Sequence, residues 1–231
     1  MTIKDILKPE ELGSLSQFST EEQDWLNKRI KNRKDGKPGV ECIVRGKNSD
    51  GDYFELGPEE VIRQLYAHKL IKEYGYEKGQ LEFEVQTVYA GHEAIKDKRI
   101  DIAIYSATDK KKMDAVIEVK RPAVTDENAV YEDEASTPRQ QMESYCLLNK
   151  ASIGVVANGA NLLKFYNAPD FDNALEIDSF PHRGEDIKEW MENRRFTLKQ
   201  LMQSDRLQNE TLKDIILAVG DPVKFCVIDE V

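Results

Sequence analysis

Apolar and polar positions alternate with two periods along this chain, and the changes of period mark its elements. "LEFEVQTVY" (81–89) and "RIDIAIYS" (99–106) alternate every second residue, the period of a half-buried strand. In the second of these, Ile100, Ile102 and Ile104 fall on one face and Asp101, Ala103 and Tyr105 on the other. The "ATDKKK" connection leads into "MDAVIEVK" (113–120), so an antiparallel pair is expected. "SIGVVAN", Gly159 and "LLKFYN" predict two further strands around a turn, and "GVECIVRGK" and "DYFELG" an earlier pair around "NSDG".

Helical spacing fills the intervals. Ser19 to Gln23 offer overlapping capping boxes before a helix over about 20–34. In "GPEEVIRQLYAHKLIKEYGY", Pro58, Glu59 and Glu60 suit a first turn. Val61, Leu65, Leu70 and Ile71 give this helix an apolar face, and Gly75 its C-terminal stop. A further helix is expected over 138–149, after an acidic loop, "TDENAVYEDEASTP". From about 184 onward "EDIKEWMENRR", "TLKQLMQSD" and "NETLKDIILAVG" read as more polar helices. The order predicts an α/β fold: a mixed central sheet flanked by helices, with a helical C-terminal extension. The expected division is 1–38 as a helical and basic segment, 39–183 as the core, and 184–231 as the extension.

Composition narrows the class. A chain of 231 residues holds one full core, and no apolar run approaches the roughly 20 residues of a membrane span. The N-terminus lacks a secretory apolar core. Cys42, Cys146 and Cys226 are scattered, and His68, His92 and His182 form no zinc pattern, so a reducing, cytoplasmic setting is expected. A net charge of −10 argues against coating nucleic acid by bulk attraction. Local basic sites survive that objection: the cluster at 28–37, then Lys96, Lys98 and Arg99, then Lys120 and Arg121. Each of them also reads as a solvated face. "VKFCVIDEV", with Asp229 and Glu230, looks like an ATPase strand, but the chain has no Gly-rich phosphate loop and hence no nucleotide site.

The chemistry centres on "DAVIEVKRP". Glu118 and Lys120 sit two apart on a strand, hence on one face with α-carbons roughly 6.6 Å apart. Such a step on a half-exposed strand is commonly decoration. If the preceding strand pairs with it, Asp101 converges on Glu118. Two close carboxylates repel, and a cation relieves the repulsion. Oxygen ligands of this kind suit magnesium, and Lys120 on the same face could handle a water or neutralise a phosphate. Four residues apart on the next helix, Gln141 and Tyr145 share a face, expected on the side of the sheet that bears Glu118 and Lys120.

Over roughly residues 40–166 the succession of pieces resembles the nuclease domain at the N-terminus of the motor and restriction subunit of type I restriction enzymes, within the PD-(D/E)xK superfamily. The pieces are the Glu-Glu-Val-x-Arg-Gln helix ending in Tyr-Gly-Tyr, the strand bearing Glu84, then Asp101, Glu118-x-Lys120-Arg-Pro, Gln141-x-x-x-Tyr145 and the strand ending in Asn158–Gly159. The leading residue pair is Ile-Asp rather than Pro-Asp. This resemblance implies that Asp101, Glu118 and the carbonyl of Val119 bind magnesium, with manganese able to substitute. Lys120 would position the attacking water. Gln141 and Tyr145 would hold DNA or the lysine, and Glu60 would be an accessory ligand or only a helix N-terminal charge. It further implies double-stranded DNA as substrate, and a motor or helicase region with methylation and specificity subunits as partners. The chain would then be a fragment or a stand-alone relative. A catalytically silent module on the same fold, or a related repair nuclease, are the alternatives.

Overall fold

The computed structural model describes residues 1–13, 15–87, 99–122, 137–159, 163–166, 175–177, 180–196 and 225–226. The N-terminal part packs two short helices, α1 (Pro9–Leu12) and α2 (Thr20–Asn27), beside a three-stranded sheet of β1 (Ile30–Asn32), β2 (Pro38–Val40) and β3 (Phe54–Glu55). The capping box of α2 is formed: Ser19 Oγ accepts from the Glu22 amide, and Glu22 Oε2 accepts from the Ser19 amide. This helix stops well before residue 34. Ile30 pairs instead with Val40 across a hairpin that turns at Gly36 (φ 82°), so the basic cluster lies largely on a hairpin, not on a helix.

The long helix α3 (Pro58–Lys72) follows, and Tyr76 closes it by donating its amide to the carbonyl of Leu70. Next come β4 (Leu81–Gln86), β5 (Arg99–Tyr105), β6 (Met113–Val119), α4 (Pro138–Asn149), β7 (Ile153–Ala157), β8 (Leu163–Tyr166) and β9 (Leu175–Ile177). These six strands form one sheet in sequence order, with β6 and β7 parallel and every other neighbour antiparallel. The sheet is therefore mixed and flanked by helices, as the spacing predicts; β9 is an edge strand beyond that expectation. After α5 (Ile187–Arg194), β10 (Arg195–Phe196) pairs with β11 (Phe225–Cys226), a strand contact within the stretch expected to be helical. The other helices expected there, the acidic loop, Lys96, Lys98, His92, Asp229 and Glu230 lie outside the described residues.

Alternation along the strands sorts two apolar layers. Ile102, Ile104, Ala115, Ile117, Val119 and Val155 pack with Val61, Ile62 and Leu65 of α3. Ala103, Val116 and Val156 pack with Met142, Tyr145 and Cys146 of α4. Tyr74 and Tyr76 meet Phe180 edge-on, so the tyrosines of "YGYEKGQ" are packing residues. Ile100 and Val85 join the α4 layer instead of following Ile102 and Phe83. Between them lies Glu84, whose φ of 57° is left-handed and interrupts the alternation of β4.

Candidate functional site

The β5–β6 ladder runs to Ile102↔Ile117 and no further, while β6 continues beside β7 as far as Val119↔Ala157. Asp101 therefore lies where the two strands part. Its Oδ2 accepts from the Val119 amide at 2.8 Å, replacing the ladder bond that β5 no longer supplies. Its Oδ1 takes Arg63 Nη2 of α3 at 2.5 Å.

Glu118 and Lys120 share the strand face of Val116, under α4. Both are buried, at 3% and 8% exposure, and Lys120 Nζ donates to Glu118 Oε1 at 2.5 Å. This is no solvated decoration. Glu118 Oε2 is buried and has no hydrogen-bond partner among the described residues. Burial, then the charge of Asp101, push the Glu118 carboxyl up to about 8 against the pull of Lys120. The bond from the Val119 amide seats the Asp101 carboxylate beside the residue that follows Glu118 on β6.

Gln141 and Tyr145 come from the helix that covers this face. Tyr145 is buried in the α4 layer, and Gln141 Oε1 is buried without a partner among the described residues. Glu60 is engaged from within its own helix: Oε2 takes Arg63 Nη1 and Oε1 takes Gln64 Nε2 at 2.7 Å. Burial raises its pKa despite both.

The residue that sequence reasoning left without a role is Arg63. One guanidinium touches Glu60 and Asp101, and lies 3.8 Å from Glu84. Desolvation opposes its charge, yet these carboxylates hold its pKa above the ordinary value. Glu84 also binds Arg45 at 2.5 Å; burial alone would raise its pKa, but Arg45 and Arg63 together lower it. The signal in the sequence was the i, i+3 spacing of Glu60 and Arg63, which brings the two together on a helix. Glu60, Arg63, Glu84 and Arg121 line a cavity of about 500 Å³ beside the carboxylates, against the N-terminus of α3.

Among the described residues no three His, Cys, Asp or Glu side chains are grouped as a metal cage. Two hard carboxylates with spare lone pairs, one holding a buried and unbonded oxygen, nonetheless fit a cation that keeps several waters. Asp101, Glu118 and the Val119 carbonyl are the groups that would hold it.

The class is that of mixed α/β folds, a central sheet flanked by helices with Asp101 and the Glu118–Lys120 pair where two central strands part. Its membership is narrower: the chain belongs to the family of the type I restriction enzyme R protein N terminus (HSDR_N), whose model matches residues 58–181. Among solved structures it is similar to one described as a fragment of the HsdR subunit of a type I restriction enzyme from Vibrio vulnificus YJ016. The identity is 16% and the TM-score 0.40, over 59% of this chain and 26% of that one. The chain thus spans about a quarter of that structure's length. No curated protein matches the chain.

Proposed function

We propose that this chain is the endonuclease domain of a type I restriction R subunit, hydrolysing phosphodiester bonds of double-stranded DNA with magnesium, or manganese in its place. The observation that carries the reading is Glu118: buried, bonded to Lys120 on one oxygen, bare on the other and facing the charge of Asp101. A fold gains nothing in stability from that arrangement; a site does.

Asp101, Glu118 and the Val119 carbonyl would hold a divalent cation, which would supply positive charge to acidify water and offset charge on the phosphate. The chain's own residues do the rest. Arg63 and the Val119 amide fix both oxygens of Asp101, so it presents its remaining lone pairs in one orientation. Glu118 offers Oε2 and orients Lys120 through Oε1. Lys120 Nζ, beside Glu118 Oε1, can hold the attacking water or a phosphate oxygen. Gln141 and Tyr145 close the face from α4. Double-stranded DNA is the expected substrate. A motor or helicase region and the methylation and specificity subunits are the expected partners, in the cytoplasm. No helix among the described residues is long and apolar enough to cross a membrane.

One observation favours a second reading, a silent binding or assembly module: Arg63 already pairs with both Asp101 and Glu60. Plasmid cleavage by the wild-type assembled R subunit separates the two, and Lys120→Ala tests the site. Under the nuclease reading it keeps magnesium affinity, measured calorimetrically, and lowers plasmid cleavage by the assembled R subunit by about 10²–10³-fold. Full cleavage by that variant would remove Lys120 from the chemistry.

A further inference from the structure

Eight residues along α3 from Glu60 lies a second cavity, of about 330 Å³. Its lining includes Trp25, Arg29, Glu41, His68, Lys72 and Lys78, drawn from α2 and the turn after it, the loop after β2, the far end of α3 and the turn before β4. The His68 ring stacks on Trp25 with centroids 4.0 Å apart. The Arg29 guanidinium covers Trp25 at 4.4 Å, and its Nη1 donates to the Trp25 carbonyl at 3.3 Å. The stack sets the His68 ring plane and brings a cation to the rim.

His68 is the unexpected member. It is 7% exposed, and its Nδ1 has no hydrogen-bond partner among the described residues. Polar nitrogens are seldom buried without one. Burial, then the positive charges of Lys72 and Arg29, lower its pKa to about 4, so at neutral pH the ring is uncharged. The field it feels is that of cations. Around it, Arg29, Lys72 and Lys78 are exposed residues of the lining, and Glu41 is its single acid.

We propose that this cavity binds a phosphate group. A tetrahedral anion with several acceptor oxygens matches a lining that carries an arginine, two lysines and a buried imidazole whose Nδ1 has no partner among the described residues. A cavity of about 330 Å³ accommodates such a group with its nearest waters, each of which occupies about 30 Å³. A carboxylate would use fewer of these donors, and a cation would meet three like charges. The phosphate can come from a nucleic-acid backbone or from a free phosphate or mononucleotide; the chemistry of recognition is shared. The site does not depend on catalysis at Glu118, and its test needs no metal.

The chain has two tryptophans and three histidines, so both partners of the stack can be observed directly. Sodium phosphate titrated into the protein in a chelator, at constant ionic strength set with chloride, should shift the His68 imidazole resonances saturably. In Trp190→Phe it should also change the fluorescence of Trp25, now the sole tryptophan. Half-saturation is expected on the order of millimolar. Lys72→Ala, checked for folding by circular dichroism, should weaken the response about tenfold, the loss of one charge-assisted contact. A short DNA duplex that competes with phosphate, with Lys72→Ala weakening both, assigns the source to the backbone. Competition by a mononucleotide but not by the duplex assigns it to the free ligand. No saturable response to phosphate, or the same response in Lys72→Ala, overturns the proposal, and the histidine readout decides should Trp190→Phe fail to fold.

Discussion

At Glu118 a carboxyl group is enclosed with less hydrogen bonding than it can use, and titration exposes the consequence. Its folded-state pKa is raised from the ordinary 4.5 to about 8, chiefly by burial and by Asp101. Between those values the folded state therefore binds a proton that the unfolded chain has released. Stability of the metal-free protein should be greatest below about pH 4.5 as far as this group is concerned, and should decline as pH rises to about 8. Chemical denaturation in a chelator at pH 5.5 and 8 measures it, and Glu118→Gln should flatten the decline. An unchanged slope in that variant would mean that the carboxyl is solvated. Sequence could reach this pair, because i and i+2 on a strand share a face whatever the rest of the chain does. It could not reach Arg63 as the partner of Asp101: the two are brought together only by α3 lying on the sheet. Nor does a Glu at position 84 announce a left-handed backbone, a conformation that costs such a residue of order 1 kcal/mol or more.

Elements were legible where a local period exists. The alternation in β4, β5 and β6 and the capped helix α4 appear close to where the pattern puts them. The failure at α2 has a plain cause. Ile30 fits the helical register of Leu26 and equally an outward turn into a strand, and only its pairing with Val40, ten residues on, decides. The mooring of α4 depends on a position that sequence passes over, Gly154 in β7. A Cβ there would stand 1.9 Å from Met142 Sδ and 2.9 Å from Cys146 Sγ, both fully buried. The bare backbone of β7 lets the helix approach the sheet, and with it Gln141 and Tyr145. Gly154→Val should lower unfolding free energy by about 1–3 kcal/mol in urea titrations, the usual cost of overpacking. Under the nuclease reading it should also lower cleavage, although Gly154 lies outside the proposed chemistry. Wild-type stability in that variant would mean that α4 is not held at this contact.

For the molecule as a whole, net charge was a poor guide to chemistry. The chain carries −10, yet the charges that matter are sorted by burial and not by number. Asp101 and Glu118 are neighbours only when β5 and β6 are assembled, so a divalent cation held by both binds the folded state and not the unfolded chain. Mass action then makes metal a stabiliser: at ten times the dissociation constant the gain is about 1.4 kcal/mol, or roughly 3–5 °C in melting temperature for a chain of this size. Asp101→Asn should abolish most of that gain. Two features of the site refine the expectation. Arg63 shares Asp101 Oδ1, so the cation must be accommodated beside a guanidinium, and Arg63→Ala should raise metal affinity while weakening the metal-free fold. Glu118 must be deprotonated to coordinate, so the metal-induced shift should be larger at pH 8 than at pH 6. Melting curves with and without magnesium at the two pH values, against a chloride-matched control, test all of this at once. A melting temperature indifferent to millimolar magnesium at both would leave Arg63 and Lys120 as the cations that these carboxylates hold.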